Sequence, residues 1–364
     1  MKSPVSYFSN LRDPRVERTR EHDLEDILFI AIASVLCGAE SWYDMEEFGK
    51  AKEEWLKTFL RLPGGIPSHD TFNRVFSALE PGELEKSFIA WTQAVAGLAE
   101  GEVVAIDGKS MRGTRERGNK SIVHMVSAWA QENCLTLGQI KVDEKSNEIT
   151  AIPRLLDLLV LKGCIVTIDA MGCQKDIAAK IVDKEADYIL ALKGNQGNLL
   201  EQVEDSFRFL DPVLSDEQTD SGHGRVETRR CQVINDLSLI EQSARWKGLQ
   251  CLVKVESVRY FKCSGKEETD TRLYITSLKP DAKLINSAVR FHWSIENSLH
   301  WVLDVAFNED NSRKRSGFAA QNYSILNRIA LNLLKNEKTT KVGVRGKRLK
   351  AGWDNQYLIK LLKN

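Results

Sequence analysis

The chain predicts an α/β fold: a mixed sheet preceded by a helical N-terminal region and interrupted by a β-rich insertion. Three observations predict it. Apolar residues recur at helical spacing through residues 1–98; from Val103 onward, short β-rich runs alternate with helical ones; and a second block of β-like alternation spans about Phe209 to Lys279 before helix returns at Lys283. The transitions divide the chain into an N-terminal helical domain (1–98), a core (99–208 and 280–336), a β-rich insertion (209–279) and a basic tail (337–364). With 364 residues, 42% of them hydrophobic, there is enough material to bury a large core.

In the leader, apolar periodicity runs from Leu24 to Leu36 and continues through Met45, Phe48, Trp55, Leu56, Phe59 and Leu60. The apolar run ILFIAIASVLC is shorter than the roughly 20 residues a membrane span needs, so a buried helix in a cytoplasmic protein is expected. The stretch LPGGIPSHD breaks the pattern, and Ser68 is a candidate N-cap for a helix carrying Phe72, Val75, Phe76 and Leu79. A helix-turn-helix would aim His69, Thr71, Asn73 and Arg74 at a DNA groove, whereas a plain bundle would pack the same helices together.

Next come the strands VVAID, IVHMVSAWA and LTLGQIKV, the last two forming a hairpin around Gln131 to Cys134. A helix over AIPRLLDLLVLKG, the strand CIVTID, a helix from Gln174 to Lys184, the strand DYILALKGN and a helix from near Asn198 complete the first half of the core. The insertion holds three strands, GRVETRRCQVI, LQCLVKVESVRYF and TRLYITSL. Seven scattered cysteines with no CxxC pair imply reduced thiols.

Two strands end on carboxylates, Asp107 in VVAID and Asp169 in CIVTID. If these strands are neighbours, both acids project from one sheet end, where α/β proteins place ligands. Paired carboxylates repel unless a cation lies between them, and hard oxygen ligands suit Mg²⁺. Glu296, in the amphipathic run HWSIENSLHWVLDV with Trp293, His300 and Phe307 at three- and four-residue steps, is the candidate third acid; Asp304, Glu309 and Asp310 are its rivals. His292, Glu296 and His300 also have a spacing that could hold zinc, although Trp293 and Trp301 beside them point to a packed helix.

Net charge is zero, but Asn311 to Lys350 holds eleven Lys or Arg against one acid, either a solvated face or a phosphate-contacting surface. Lys109 and Lys193 flank the proposed metal position and are phosphate candidates or ordinary surface. The RKRSG stretch, with Arg313, Lys314 and Arg315, is both a basic loop before a core helix and a candidate phosphate clamp.

The motifs IDGK, LGQIKVDEKSNEITAIP, TIDAMGCQKDIA, ALKGNQGNL and HWSIENSLHWVLDVAFNED resemble those of the H-repeat-associated, ISAs-type bacterial insertion-sequence transposases. The similarity extends into ILFIAIASVLCGAESWYDMEEFG and GIPSHDTFNRV, so it covers nearly the whole chain. The resemblance implies a ribonuclease-H-like core and a DDE triad of Asp107, Asp169 and Glu296. By the same implication, the triad would hold Mg²⁺, with Mn²⁺ as substitute, to cleave double-stranded DNA at element ends and join it to a target, with a homodimer assembling on the DNA. Related transposases place Tyr, Arg and Lys at fixed steps around the Glu, where this sequence has Val289, His292 and Leu303. Arg290, His292, His300 or Lys314 would then supply the phosphate contacts. Two other readings are a catalytically silent DNA-binding remnant and a metal-dependent nuclease without strand transfer.

Overall fold

The computed structural model describes residues 4–115, 122–143, 147–222 and 224–363. Five helices come first: α1 (Leu24–Leu36), α2 (Trp42–Ala51), α3 (Glu53–Leu56), α4 (His69–Ala78) and α5 (Pro81–Val95). The apolar run expected to be a buried helix is α1, with Ile27, Ile30, Ile32 and Val35 fully enclosed. A capping box starts α2: Ser41 accepts from the Asp44 amide, and Asp44 accepts from the Ser41 amide. Ser68 caps α4 as its sequence position predicts, accepting from the Thr71 amide.

The sheet begins with β1 (Val103–Met111), β2 (Val123–Ala130) and β3 (Leu135–Lys141); α6 (Glu148–Leu158), β4 (Ile165–Ile168), α7 (Lys175–Asp183), β5 (Asp187–Leu192) and α8 (Gly197–Phe209) follow. β1, β4 and β5 are parallel neighbours, and the β2–β3 hairpin runs antiparallel beside β1. One face is covered by α5, where the Thr92 hydroxyl donates to the Leu137 carbonyl at 2.6 Å. The helical leader and this part of the sheet therefore share one apolar core.

Four strands extend the same sheet: β6 (Leu214–Gly222), β7 (Arg225–Ile234), β8 (Cys251–Phe261) and β9 (Glu267–Thr276), with β9 antiparallel to β5. The order among the described residues is β3-β2-β1-β4-β5-β9-β8-β7-β6. The sequence shows three strands in this region and misses β6. LSDEQTDSG carries almost no apolar signal because it forms a solvent-facing edge, held by its ladder to β7 from Leu214↔Val233 to Gly222↔Arg225.

The remaining elements are α9 (Ala282–His292), a π-helical turn at Glu296–His300, α10 (Trp301–Phe307), α11 (Ala319–Asn336), α12 (Val344–Trp353) and α13 (Asn355–Lys363). Residues 344–363, expected within a basic tail, are thus folded as α12 and α13. Arg348 is buried over the Phe307 ring and donates to the Val35 carbonyl near the end of α1 at 2.9 Å, while Lys347 donates to Leu334 near the end of α11 at 2.8 Å. Part of the basic segment therefore satisfies open carbonyls at helix C-termini. Among the described residues, no helix is long and apolar enough to cross a membrane.

Candidate active site at the ends of β1 and β4

The parallel register of β1 and β4 ends at Ile106↔Ile168, so Asp107 and Asp169 are the next residue on each strand. β1 does not stop at Asp107, however. Its antiparallel ladder with β2 continues through Asp107↔Ser127 to Met111↔Val123, past the last pair of the parallel register. Asp169 does leave its strand, accepting from the Met171 amide at 3.0 Å at the start of a 3₁₀ turn.

Gly108 follows Asp107 for a steric reason. A Cβ there would lie 2.1 Å from Glu148 Oε1 and 2.6 Å from His124 Nε2. Glu148 opens α6, whose N-cap is Asn147, and its Oε1 lies 2.6 Å from His124 Nε2; His124 Nδ1 in turn lies 2.9 Å from the Ser110 hydroxyl. Sequence reasoning missed Glu148, since it starts the helix at Ala151. The signal was present: Asn147 is a capping residue and Glu148 is an acid suited to a first turn.

Glu296 arrives on the π turn. Such turns insert one residue into a helix and are frequent at functional sites. His300 Nδ1 lies 3.1 Å from Glu296 Oε2 and 3.6 Å from Asp107 Oδ2, and one ligand atom from each of Asp107, Glu296 and His300 falls within 4.8 Å of the others. Burial, above all, pushes the Asp107 carboxyl up to about 7, with the charges of Asp169, Glu148 and Glu296 adding to it. Asp169 is raised as well, chiefly by burial and then by Glu148, with Lys193 opposing the rise.

The other predicted residues divide into buried and outward-facing groups. Lys109 is buried, 2.7 Å from Asp304 and 3.6 Å from Asp310, so those two rivals of Glu296 are engaged by a lysine; Glu309 is buried against Arg328 at 2.7 Å. Lys193 is exposed. Arg290 lies 3.8 Å from Asp220. His292 is buried with Nδ1 3.0 Å from the Thr167 hydroxyl, and burial pushes it down to about 4. Among the described residues the grouped ligands are Asp107, Glu296 and His300, and not the His292, Glu296 and His300 spacing weighed for zinc.

Arg313 and Arg315 are exposed, Arg315 donating to the Gly113 carbonyl at 2.8 Å. Lys314 between them turns inward, with Nζ 3.6 Å from the centre of the Tyr323 ring, and burial lowers it to about 8. Trp293 and Trp301, expected in a packed helix, are instead exposed, because the buried side of this segment is taken by Ile295, Leu299 and Leu303. In α4, His69 stacks on Tyr43 and its Nδ1 lies 2.7 Å from Glu46, and Thr71 is buried; Arg74 is exposed.

Residues 99–333 match the family described as "Transposase DDE domain", and residues 5–92 match the family described as "DDE_Tnp_1-associated". Similar chains include "Putative transposase YncI" of Escherichia coli O157:H7, 45% identical over 100% of this chain and 95% of that protein. Another is "H repeat-associated putative transposase YhhI" of Escherichia coli K12, 41% identical over 100% of this chain and 98% of that protein. Among solved structures, the piggyBac transposase synaptic complex with hairpin DNA has a TM-score of 0.44 at 11% identity, covering 96% of this chain and 76% of that one.

Proposed function

The chain belongs to the Transposase DDE domain family, and on that premise we propose that it is the DNA transposase of a bacterial insertion sequence, cleaving element ends and transferring them to target DNA. The observation that carries this reading is the convergence of Asp107, at the end of the parallel register between β1 and β4, with Glu296 on the π turn, and with Asp169 just past the end of β4. A ribonuclease-H-like core is supported by the parallel trio β1, β4 and β5 flanked by the β2–β3 hairpin. The domain divisions read from the sequence, with DNA-end recognition in residues 1–98 or in the β-rich insertion, belong to the same proposal, as does a dimer assembled on paired ends.

The donor set fits a hard divalent ion. Asp107 and Glu296 would contribute carboxylate oxygens, Asp169 a third, and His300 an imidazole whose Nδ1 faces both Asp107 and Glu296. Mg²⁺ or Mn²⁺ held there would supply Lewis-acid polarisation of a phosphodiester and a nucleophilic oxygen at neutral pH. A cation held there would replace the proton that burial and three neighbouring acids otherwise keep on Asp107 up to about pH 7. Glu296 is oriented by His300 Nδ1, and Lys109 locks β1 to α10 through Asp304. Lys193, Arg290, Arg313 and Arg315 are the outward-facing members of the proposed DNA surface. Lys314 and His292 lie inside the fold, where they support the elements that carry the others.

The test is cleavage of element-end DNA with Mg²⁺ or Mn²⁺ by the wild type and by Asp107→Asn, Asp169→Asn and Glu296→Gln, each also assayed for DNA binding. All three variants are expected to bind and none to cut. A wild type that binds and never cuts would favour a silent remnant, and cutting without joined products a nuclease.

A further inference from the structure

Beside Glu296 lies a cleft of about 250 Å³ lined by five arginines: Arg225 and Arg229 on β7, Arg259 on β8, Arg272 on β9 and Arg290 on α9. The sheet register puts the four strand residues on one face, since Glu227 pairs with Arg259, Arg229 with Ser257, and Val255 with Arg272. Farther along the same face, Cys231, Val253 and Tyr274 pack against Ile285 and Val289 of α9. The face is therefore apolar where α9 covers it and cationic where it opens towards Glu296 and Asn297.

The carboxylates present do not match this charge. Glu227 is shared by Arg259 at 3.4 Å, Arg229 at 3.7 Å and Arg225 at 3.9 Å. Asp220 is shared by Arg229 at 2.6 Å and Arg290 at 3.8 Å, and Asp270 takes Arg272 at 2.7 Å. Five guanidiniums thus face these three carboxylates and Glu296 at the edge of the cleft, one negative charge short of balance. Arg229 is only 5% exposed, yet its Nε and Nη1 have no hydrogen-bond partner among the described residues. A buried guanidinium with two open donors is costly unless an acceptor arrives. Arg272 is held in place by stacking on Trp293, 3.9 Å from the ring centre.

We propose that this cleft is a phosphate-binding subsite for the DNA strand that enters the catalytic carboxylates, with Arg229, Arg259 and Arg272 gripping a backbone phosphate beside the one that is cut. The inference rests on the transposase reading for its ligand and on the cleft alone for its anion preference. Guanidinium forks match phosphate oxygens in geometry, and a low-dielectric cleft with excess positive charge concentrates anions. Glu296 itself lines the cleft, so a strand held by the arginines passes directly to the proposed metal ligands.

Arg259→Gln and Arg272→Gln remove charges at the partly exposed mouth and leave Asp107, Asp169 and Glu296 in place. In EDTA, binding of a short fluorescent duplex is measured across a salt series, and wild-type crystals are soaked in tungstate. Each variant is expected to raise Kd about tenfold and to reduce the salt slope by about 1. Tungstate is expected within hydrogen-bond distance of Arg229 Nε or Nη1. Unchanged Kd and slope in both variants overturn the proposal even if tungstate is seen, which would then be an adventitious ion only. Weakened binding with the flatter slope supports it whether or not tungstate is seen. If a variant is unfolded by circular dichroism, tungstate on Arg229 in the wild type supports the proposal and an empty cleft overturns it. Mg²⁺-dependent cutting of the same duplex by the wild type is scored separately, so its failure refutes the catalytic reading without touching the phosphate subsite.

Discussion

Asp107→Asn is expected to stabilise the metal-free protein while abolishing cleavage. The Asp107 side chain is 26% exposed, and its carboxyl is raised from the ordinary 3.8 to about 7 by burial and by neighbouring acids. Between those two values the native protein holds a proton that the unfolded chain has lost, so wild-type stability falls as pH rises through that window and levels off above about 7. At about 1.4 kcal/mol per pH unit, the raised Asp107 carboxyl lowers folding stability by about 1.5 kcal/mol at pH 5 and about 4 kcal/mol at pH 8. Asparagine carries no charge and avoids this cost. The assay is urea unfolding in EDTA at pH 5 and pH 8: the variant should gain on the wild type by the difference between those figures. Adding Mg²⁺ should restore the wild type by mass action and help the variant less. A gap that stays constant with pH, or a variant less stable at pH 8, would refute the reasoning.

Gly108→Ala drives a Cβ into the Glu148–His124 pair, 2.1 Å from Glu148 Oε1, and is expected to cost about 1–3 kcal/mol and to lower Mg²⁺-dependent cleavage; unchanged stability and rate would count against the packing described. Glu309→Gln leaves Arg328 buried and uncompensated, and unfolding should show a loss of about 3–5 kcal/mol, a loss below about 1 kcal/mol being the contrary result. Glu85 is buried, accepts from Gln321 and is raised from 4.5 to about 7 mainly by burial, so wild-type stability falls as pH climbs through that range. Glu85→Gln should therefore gain up to about 3 kcal/mol over the wild type at pH 8 and nothing at pH 4, a difference read from urea midpoints at the two pH values.

Most of the layer order was legible because it is written in local periodicity. The α1 run, the β2–β3 hairpin around Gln131 to Cys134, the Ser68 cap and the return of helix near Lys283 all carry near-neighbour signals. β6 was not legible, since an edge strand with polar faces has no alternation to read. Lys347 and Arg348 were misleading for the converse reason: long basic side chains look solvated in sequence, but their apolar stems let them be buried wherever helix-end carbonyls accept their donors.

In the candidate site, the sequence by itself determined the chemistry: apolar strands running into Asp107 and Asp169, and a Glu at 296 among helical residues. Tertiary structure alone decided which groups meet. The parallel pairing of β1 with β4 sets the aspartates side by side, the π turn brings Glu296 and His300 to Asp107, and α6 delivers Glu148. The same long-range pairing gathers arginines from β7, β8, β9 and α9 into one cleft. Residues tens of positions apart share no local signal, so their convergence is determined by strand register and helix docking, which only the folded chain contains.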